Sequence, residues 1–514
     1  MPFIDLNESS IDFTANSFDI VIVGAGAVGI LLAVELSKKN KRVLLLESGH
    51  FTEDEQRQEL NTVIQTGKPV TSAVWGRKRA IGGTTIAWGG QSLPFSRLDF
   101  EKRDWVQYSG WPITYEELAP YYHLANRFMD IDELDYDGDI FRLLKMKKTD
   151  FNENLIHHHF SKWAPEPNFR IIYQDHLSKH VTVVYNAALT KLQADFDGKI
   201  NAATVKNYKG QSYSISIPRL VLATGGIETN RILLNESESA SGGFGNHSGW
   251  LGKCFMEHPC IEVGEIHTDR PWKLQAKFNT HILKKRKYSV RLSLAEALQK
   301  KEGLLNGSAG ILMSFDPGDH DPYEAIRKII KQKKLPSVKQ LLTGGISSYA
   351  LSFVALFSQH FVYKHKARIK LIMMMEQEPV VDSCISLSHV KDIHGVKLAS
   401  MHWKITHKTW NSVVCLSKIV SEEMQRLAIG KVVLHDHITE NTPDWENYLS
   451  DVNHHMGGTR MSNTPAGGVV NTDLQVWGHD NLFVCSSSVF PTSSHSNPTL
   501  TLLALAQRLV VKLV

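Results

Sequence analysis

Residues 18–48, FDIVIVGAGAVGILLAVELSKKNKRVLLLES, decide the fold of this chain. The β-branched apolar run at 18–23 predicts a strand, the pattern after the glycines predicts a helix, and Val43–Leu46 predicts a second strand. Three glycines lie in the order Gly-x-Gly-x-x-Gly between the first strand and the helix. In such a unit one glycine makes the turn, one lets the backbone approach a pyrophosphate, and one lets the helix pack closely on the strand.

The glycine turn and an acid at the end of the second strand together predict dinucleotide binding. Gly24, Gly26 and Gly29 place the N-terminus of the helix against the ligand, where free N–H groups and the helix dipole favour an anion. Glu47 follows the last glycine by 18 residues, which is where a carboxylate accepts hydrogen bonds from a ribose hydroxyl. A glycine turn that only packs a helix on a strand would not require this acid.

The length and composition indicate a globular protein of two domains. A chain of 514 residues is too long for one ordinary hydrophobic core. Its hydrophobic content of 42% and charged content of 21% are those of a soluble globular protein. The formal net charge of +4 is small for this length, which argues against nucleic acid as a partner. We interpret the basic stretches at 284–287 and 327–334 as solvated faces.

The cysteines and the first residues of the chain predict a cytoplasmic location. The five cysteines are scattered and have no CxxC spacing, so they indicate neither a disulfide framework nor a zinc site. The first residues lack the basic and apolar regions of a secretory signal. The longest apolar stretch, 349–357, is shorter than the ~20 residues of a transmembrane helix. Contact of this stretch with a membrane surface is one interpretation, but we favour a helix of the second domain.

A second glycine cluster, WGRKRAIGGTTIAWGGQ at 75–91, predicts backbone held close to a ligand. Four glycines within 82–90 surround Thr84 and Trp88, and this density suits a segment that passes near a bound group. A flexible loop is the alternative, but the apolar residues between the glycines argue against it.

Local sequence patterns also predict secondary structure in the first half of the chain. Residues 1–17 are polar and are expected to be poorly ordered. Thr114 and Glu117 form a capping box at the start of a helix. The segments FRIIYQ, VTVVYNAALTKLQ and SYSISI predict strands within 167–234. A buried strand at 220–222 then runs through small residues into a helix, again a turn that suits a flat ligand.

The second half of the chain contains two regions with different sequence patterns. Residues 265–447 alternate strand-like and helical segments without a glycine signature, and we interpret this region as the substrate domain. Its three methionines at 373–375 are interpreted as packing in a sheet. Near the C-terminus, residues 481–484 predict a strand. A helix follows from Pro498, with Asn497 at its N-cap or first position.

In this order the segments resemble the glucose-methanol-choline (GMC) family of FAD-dependent oxidoreductases. Five motifs spanning nearly half of the chain carry the resemblance: the unit at 18–48, GGTTIAWGG at 82–90, LATGGIETNRILL at 222–234, GWLGKCFMEHP at 249–259, and the stretch from residue 454 to the end. The tail is most similar to pyranose 2-oxidases and bacterial sugar dehydrogenases, in HMGGTRM, GVVNTDLQVWGHDNLFV and NPTLT.

The resemblance implies an α/β fold with FAD, rather than NAD, on the Gly24 turn. We expect a discontinuous Rossmann-type FAD-binding domain and an α+β substrate domain built on an antiparallel sheet. After a lead-in at 1–17, the expected segments are 18–102, 165–264 and 448–514 for the FAD domain, and 103–164 and 265–447 for the substrate domain. The implied cofactor-binding residues are Gly24, Gly26, Gly29, Glu47, Gly83, Thr84, Trp88, Leu189, Ala223, Thr224, Gly225, Ser486, Asn497, Pro498 and Thr499.

The family also implies a catalytic histidine in an H-x-x-G-T pattern and an Asn or His at the position of Asn497. His455 stands four residues before Thr459, as the pattern requires, whereas His454 stands five before. Adjacent side chains of an extended segment point to opposite sides, so we predict that His455 faces the flavin. His454, together with His258 and His495, is interpreted as a packing or supporting residue.

The predicted reaction is oxidation of a CH–OH group to a carbonyl, with hydride transfer to flavin N5 and a histidine as the base. Ala87 stands where several family members carry a histidine bonded to FAD, so we predict non-covalent FAD. A sugar or glycoside is the favoured substrate; sterols, polyols and aliphatic or aromatic alcohols are alternatives. The electron acceptor stays open among oxygen, a quinone and a redox protein, and so does the oligomeric state.

Two other functions compete with alcohol oxidation. An NAD(P)H-dependent monooxygenase or reductase would need a second nucleotide site, but the glycine cluster at 242–249 follows no strand. A non-redox lyase would use the same histidine as a base, and the residues alone do not exclude it.

Overall fold

The computed structural model describes residues 3–9, 11, 13, 17–236, 242–316, 346–440 and 442–514. Within these residues the strands are, in chain order, β1 (Ile4–Asp5), β2 (Ile20–Val23), β3 (Val43–Leu46), β4 (Val63–Gln65), β5 (Gln91–Ser92), β6 (Ile156–Trp163), β7 (Thr182–Tyr185), β8 (Ala188–Ala194), β9 (Ile200–Lys206), β10 (Ser212–Ser216), β11 (Leu220–Leu222), β12 (Lys253–Met256), β13 (Cys260–His267), β14 (Thr280–Leu283), β15 (Arg286–Leu294), β16 (Gly307–Ser314), β17 (Arg368–Met375), β18 (Cys384–Lys391), β19 (Lys397–His402), β20 (Lys431–Leu434), β21 (Met456–Gly458) and β22 (Leu482–Val484).

The helices of the same residues are α1 (Ala27–Ser37), α2 (Glu55–Gln58), α3 (Ser72–Trp75), α4 (Arg97–Phe100), α5 (Tyr115–Phe128), α6 (Gly138–Leu143), α7 (Phe169–His180), α8 (Gly225–Asn235), α9 (Pro271–Phe278), α10 (Glu296–Glu302), α11 (Ile346–Gln359), α12 (His407–Arg426), α13 (Asp436–Thr439) and α14 (Pro498–Leu513). Short 3₁₀ turns lie at Glu59–Asn61, Gly83–Ile86, Trp445–Tyr448, Pro465–Gly467 and Ser487–Val489. The basic stretch at 327–334 lies outside the described residues.

A six-stranded parallel sheet forms the centre of the nucleotide-binding half. Its strand order is β1-β7-β3-β2-β11-β22. Strands β2, β3, β11 and β22 are buried along their whole length, as expected for parallel strands covered on both faces. The carboxyl ends of these four strands therefore meet at one edge, where a ligand binds in open α/β sheets.

An eight-stranded sheet forms the centre of the other half. Its order is β20-β13-β17-β16-β15-β6-β5, with β14 paired to β15, and every pairing is antiparallel. The long helix α12 buries its apolar side chains in the same core as this sheet. This architecture of a Rossmann-type sheet and an antiparallel sheet confirms the predicted fold class. The domain boundaries given above stay a prediction.

Two smaller sheets complete the described fold. Strands β10, β9 and β8 form an antiparallel meander, and β21, β12, β18, β19 and β4 form a mixed sheet.

Many predicted elements are confirmed, among them the capping box of Thr114 and Glu117 on α5 and the helix that begins at Pro498 with Asn497 as its N-cap. The methionines at 373–375 lie in β17, as predicted.

Two predictions about local structure are wrong. The segment FRIIYQ is the start of helix α7 and not a strand, because the Asn168 side chain caps the first turn by accepting from Arg170 N. The strand prediction for VTVVYNAALTKLQ is confirmed, and the segment forms the two strands β7 and β8 because Asn186 at φ 58 ends the first. Part of the polar lead-in is ordered, because Ile4–Asp5 pairs with β7 as the edge of the parallel sheet.

The apolar stretch predicted as a helix lies in α11. Its described apolar residues pack with Trp272, Phe361 and Tyr363, whereas Phe357 is largely exposed. Among the helices that the structure describes, none combines the length and the apolar character needed to cross a membrane.

Candidate active site

One cavity of about 760 Å³ opens at the carboxyl edge of the parallel sheet. It is lined by the glycine turn after β2, the end of β3, the loop at 75–91, the start of α8 and the C-terminal segments around 452–455 and 497–499. The predicted site residues that line it are Gly24, Gly26, Glu47, Gly83, Thr84, Trp88, Ala223, Thr224, Gly225, His455, Ser486, Asn497, Pro498 and Thr499. The structure thus brings together residues that lie more than 450 positions apart in the chain.

In the glycine turn, Gly24 and Gly29 pack closely against protein backbone, whereas Gly26 has free space beside it. Gly24 has φ +100, and a Cβ there would lie 2.6 Å from the Ala223 carbonyl oxygen. A Cβ on Gly29 would lie 1.8 Å from the Gly24 carbonyl oxygen, so this glycine serves helix packing and does not line the cavity. At Gly26 the nearest atom to such a Cβ is Gly83 Cα at 3.9 Å. The space beside Gly26 is therefore available to a ligand.

Glu47 also holds the glycine turn in place. Its carboxylate accepts from Ala25 N at 2.9 Å and from Gly49 N at 2.7 Å. Burial raises the pKa of this carboxyl, and the two backbone donors oppose the shift. Glu47 lines the cavity, but its contact with a ribose stays a prediction.

Leu189 is the one predicted cofactor residue, besides Gly29, that does not reach the cavity. It lines a separate small pocket with Arg231 and Asn235. The reason is that the chain leaves the parallel sheet after β7, and β8 belongs to the three-stranded meander.

Two arginines in the cavity wall were not identified from the sequence. Arg77 and Arg79 line the cavity beside Glu228, and Arg79 Nη2 lies 2.8 Å from a Glu228 carboxylate oxygen. Arg231 donates to the other oxygen at 2.8 Å. Burial alone would raise the pKa of Glu228, but the three arginines lower it to about 2. The run WGRKR beside the glycine cluster is the signal that could have indicated these residues.

The two adjacent histidines both line the cavity but have different partners. His454 Nε2 lies 3.3 Å from Asn497 Nδ2, and His454 Nδ1 lies 2.9 Å from His258 Nδ1. His455 Nε2 lies 2.9 Å from Ser72 Oγ. Asn497 therefore contacts His454 and not His455. The prediction of His455 as the base stays untested, because both rings reach the cavity.

Buried surroundings keep these histidines neutral. Burial lowers the pKa of His455 to about 3 and that of His258 to about 4, and it holds the pKa of His454 well below its usual value. Glu257, whose pKa burial raises to about 8, accepts from the backbone N–H groups of His454 and His258. A neutral imidazole at the cavity can accept a proton near neutral pH.

The cavity fits FAD. The backbone approach at Gly26 and the N-terminus of α1 suit a pyrophosphate, and Asn497, Pro498 and Thr499 bring the start of α14 to the same cavity. The Trp88 indole, which donates to the Pro167 carbonyl at 2.7 Å, adds a flat apolar wall. The residues that would hold FAD are therefore the glycine turn, the loop at 83–88 and the start of α14.

Comparisons with known proteins agree with this fold. Residues 379–506 match the family model of GMC oxidoreductases, and residues 22–52 match that of NAD(P)-binding Rossmann-like domains. The chain is 23% identical over 568 residues to 2-methyl-1,2-propanediol dehydrogenase of Mycolicibacterium austroafricanum, covering 96% of this chain and 95% of the relative. It is also 23% identical to the fructose dehydrogenase large subunit of Gluconobacter japonicus, covering 96% and 97%. The crystal structure of pyridoxine 4-oxidase from Mesorbium loti matches with a TM-score of 0.58 at 15% identity, covering 96% and 99%.

Proposed function

The chain belongs to the GMC family of FAD-dependent oxidoreductases, and from this premise we propose that it oxidises a CH–OH group of a sugar or glycoside beside the His454–Asn497 pair. Its class as an alcohol oxidoreductase and FAD as its cofactor agree with the sequence predictions and are confirmed. The observation that carries the finer proposal is the 3.3 Å contact of His454 Nε2 with Asn497 Nδ2 in the cavity that the glycine turn also lines.

The hydrogen bonds around His258 determine which nitrogen of His454 can act as the base. His258 Nε2 lies 3.1 Å from the Ser493 carbonyl oxygen, which only accepts, so His258 carries its proton on Nε2. Its Nδ1 then accepts from His454 Nδ1–H. His454 Nε2 is left unprotonated, with its lone pair toward Asn497, whose Nδ2 donates to it.

This arrangement supports removal of the hydroxyl proton of the substrate. When the substrate hydroxyl replaces the Asn497 N–H at His454 Nε2, neutral His454 accepts the hydroxyl proton there, and the released Asn497 amide orients the hydroxyl oxygen by hydrogen bonding. FAD, when bound, supplies the acceptor of the hydride at flavin N5. His455 is the alternative base, since it lines the same cavity, and its ring contacts Ser72.

Two residues of the cavity wall support a polar substrate. Gln91 and Trp163 of the antiparallel sheet line the cavity, and an indole beside an amide suits a sugar ring. None of the described lining residues comes from the apolar helix α11. A sterol or another apolar alcohol therefore has less support than a sugar, a glycoside or a polyol.

Anaerobic bleaching of the flavin tests the proposed function. We expect sugars or glycosides to bleach the FAD absorbance of the holoenzyme, and NADPH alone to leave it unchanged. Bleaching by NADPH without substrate would favour a reductase or monooxygenase. If no sugar, glycoside, polyol, sterol or simple alcohol bleaches the flavin, alcohol oxidation is wrong and a non-redox function replaces it.

We also propose that FAD is held without a covalent bond. Ala87, which precedes Trp88 in the cavity wall, offers no nucleophile to the flavin. Acid precipitation of the holoenzyme is therefore expected to leave a colourless pellet and to release FAD into the supernatant. A yellow pellet after washing would contradict this prediction, and a covalent flavoprotein treated in parallel provides the control.

A further inference from the structure

The antiparallel sheet turns one polar face away from its hydrophobic core. In the paired strands β6 and β15, Phe160 lies opposite Val290 and both are in the core. The next pair along the strands, His159 and Arg291, must point to the other face, because side chains alternate along a strand. On that face Gln91 of β5 and Trp163 of β6 line the cavity. This face is therefore the substrate side of the sheet.

Arg291 is a cation on this face. Its guanidinium donates to the Gln91 side-chain oxygen at 3.4 Å. In the part of the chain that the structure describes, no carboxylate lies within ion-pair distance of it. The strand beside it carries Gly310, where a Cβ would lie 2.6 Å from Arg291 Nη1. A side chain at 310 would thus displace the guanidinium, so the glycine leaves room for it.

An unpaired guanidinium in such a place is costly. Burial lowers the pKa of Arg291, which reflects the cost of the charge in its surroundings. The buried Arg103 and Arg231 have acids, Glu376 and Glu228, as partners. A costly charge in contact with Gln91, a residue of the cavity wall, is a candidate for a functional role.

His495 supplies a second, independent unpartnered group beside Arg291. It is 6% exposed, and neither of its ring nitrogens has a hydrogen-bond partner among the described residues. Its ring lies 6.1 Å from that of His159, the residue paired with Arg291. Burial lowers the pKa of His495 to about 3, and the nearby His258 and Arg291 add to this shift. A buried imidazole without a partner has one N–H to donate to a ligand.

These groups adjoin the proposed base. Gln91, which contacts Arg291, lines the cavity. At the other side His495 precedes Asn497 by two residues, and His258 contacts His454. Arg291, through its contact with Gln91, and His495, through its place two residues before Asn497, therefore both adjoin the wall of the cavity.

We propose that Arg291, with His495 and Gln91, binds an oxyanion group of the substrate, so that the enzyme acts on a polyhydroxy alcohol carrying a carboxylate or a phosphate. This inference rests on the proposed function and names its substrate class. A guanidinium matches either oxyanion with two parallel N–H···O bonds, and His495 and Gln91 each have an N–H to add. The uncharged part of the substrate then faces Trp163 and the His454–Asn497 pair.

The test compares matched neutral and anionic substrates on the holoenzyme. Rates of anaerobic flavin reduction are measured with glucose, glucuronate, gluconate and glucose 6-phosphate for the wild type, Arg291→Gln and Arg291→Lys. We expect kcat/KM of the wild type for at least one anion to exceed that for glucose by about 10- to 100-fold, the range of a charged hydrogen-bonded contact. Whether glucuronate and gluconate or glucose 6-phosphate shows the gain distinguishes a carboxylate from a phosphate.

The variants separate a binding role from a structural one. Arg291→Gln is expected to lose the preference for the anion over glucose, and Arg291→Lys to keep part of it, because lysine lacks the fork of donors. Arg286→Gln is the control. It removes one positive charge from the same strand, where Arg286 is half-buried and pairs with Asp130. FAD content and Tm check that each variant folds.

A binding measurement keeps the proposal testable without turnover. Gluconate and inorganic phosphate are titrated into the holoenzyme, and the change of the flavin spectrum reports binding. Anion binding that Arg291→Gln weakens at least about tenfold supports the proposal even if none of the four alcohols is the substrate. Equal rates for neutral and anionic alcohols with no anion binding would overturn it and leave alcohol oxidation standing. Failure of every alcohol to bleach the flavin would instead reject the proposed function.

Discussion

Replacement of His454 by alanine is expected to slow flavin reduction by the alcohol by roughly 10²- to 10⁴-fold, the usual contribution of a general base. The reason is that His454 Nε2, unprotonated and directed at Asn497, is the ring nitrogen placed to take the hydroxyl proton. FAD should remain bound, because the glycine turn that holds it is not altered. Anaerobic stopped-flow measurement of the flavin absorbance, with FAD content per chain, checks both parts.

His455→Ala is the matched comparison, since the two histidines are neighbours and both line the cavity. We expect a loss of less than about tenfold, because the ring of His455 contacts Ser72 and not Asn497. A larger loss in His455→Ala than in His454→Ala would contradict the assignment to His454. It would instead support His455 as the base, as the H-x-x-G-T pattern ending at Thr459 predicts.

The pH profile of flavin reduction provides a readout that a purely structural role would not move. A base works when it is unprotonated, and its activity is lost as the pH falls through its pKa. Because burial holds the pKa of His454 well below the usual histidine value, the rate should stay constant from pH 8 to below about 6.5, the ordinary pKa of histidine. A rate that already declines between pH 8 and 7 would assign the base to another group.

The sequence could predict the elements whose signals are local. The unit at 18–48, the capping box at Thr114 and the helix after Asn497 each depend on residues a few positions apart, and all three are present. The prediction of a strand at FRIIYQ is wrong because a short apolar run with isoleucines is compatible with either a helix or a strand. The side-chain cap of Asn168 decides for the helix.

The parts of the site that the sequence could not predict depend on distant contacts. Alternation places His454 and His455 on opposite sides, but only the packing of His258 and Asn497 shows which ring they contact. Arg291 lies more than 150 positions from the glycine loop and belongs to no motif, so only the strand register brings it beside Gln91. Leu189 misses the cavity because Asn186 ends β7 and turns the chain into another sheet.

Gly26→Ala and Gly29→Ala are expected to fail in different ways, although the two glycines belong to one turn. A Cβ on Gly29 would lie 1.8 Å from the Gly24 carbonyl oxygen, a backbone atom that cannot move aside. Gly29→Ala should therefore destabilise the fold by ~3 kcal/mol or more, the upper range of overpacking in a core. Its Tm is expected to fall strongly, and little FAD should purify with the protein.

Gly26→Ala should instead fold normally and bind FAD poorly. Gly26 has φ −83, which alanine adopts readily, and the nearest protein atom to its Cβ would be 3.9 Å away. The added methyl group would occupy the space in which the backbone approaches the pyrophosphate. We expect FAD to bind roughly tenfold or more weakly, which corresponds to ~1.4 kcal/mol. FAD per chain, FAD release on dilution and Tm provide the measurements.

Gly138→Ala is the control for both variants, because Gly138 is exposed and a Cβ there would meet nothing within 4 Å. Its Tm and FAD content should match the wild type or rise slightly, since alanine restricts the unfolded chain more than glycine does. Wild-type FAD affinity in Gly26→Ala would show that the cofactor does not pass this glycine closely. In that case the cavity would hold its pyrophosphate elsewhere, and the cationic wall formed by Arg77 and Arg79 would be the next candidate.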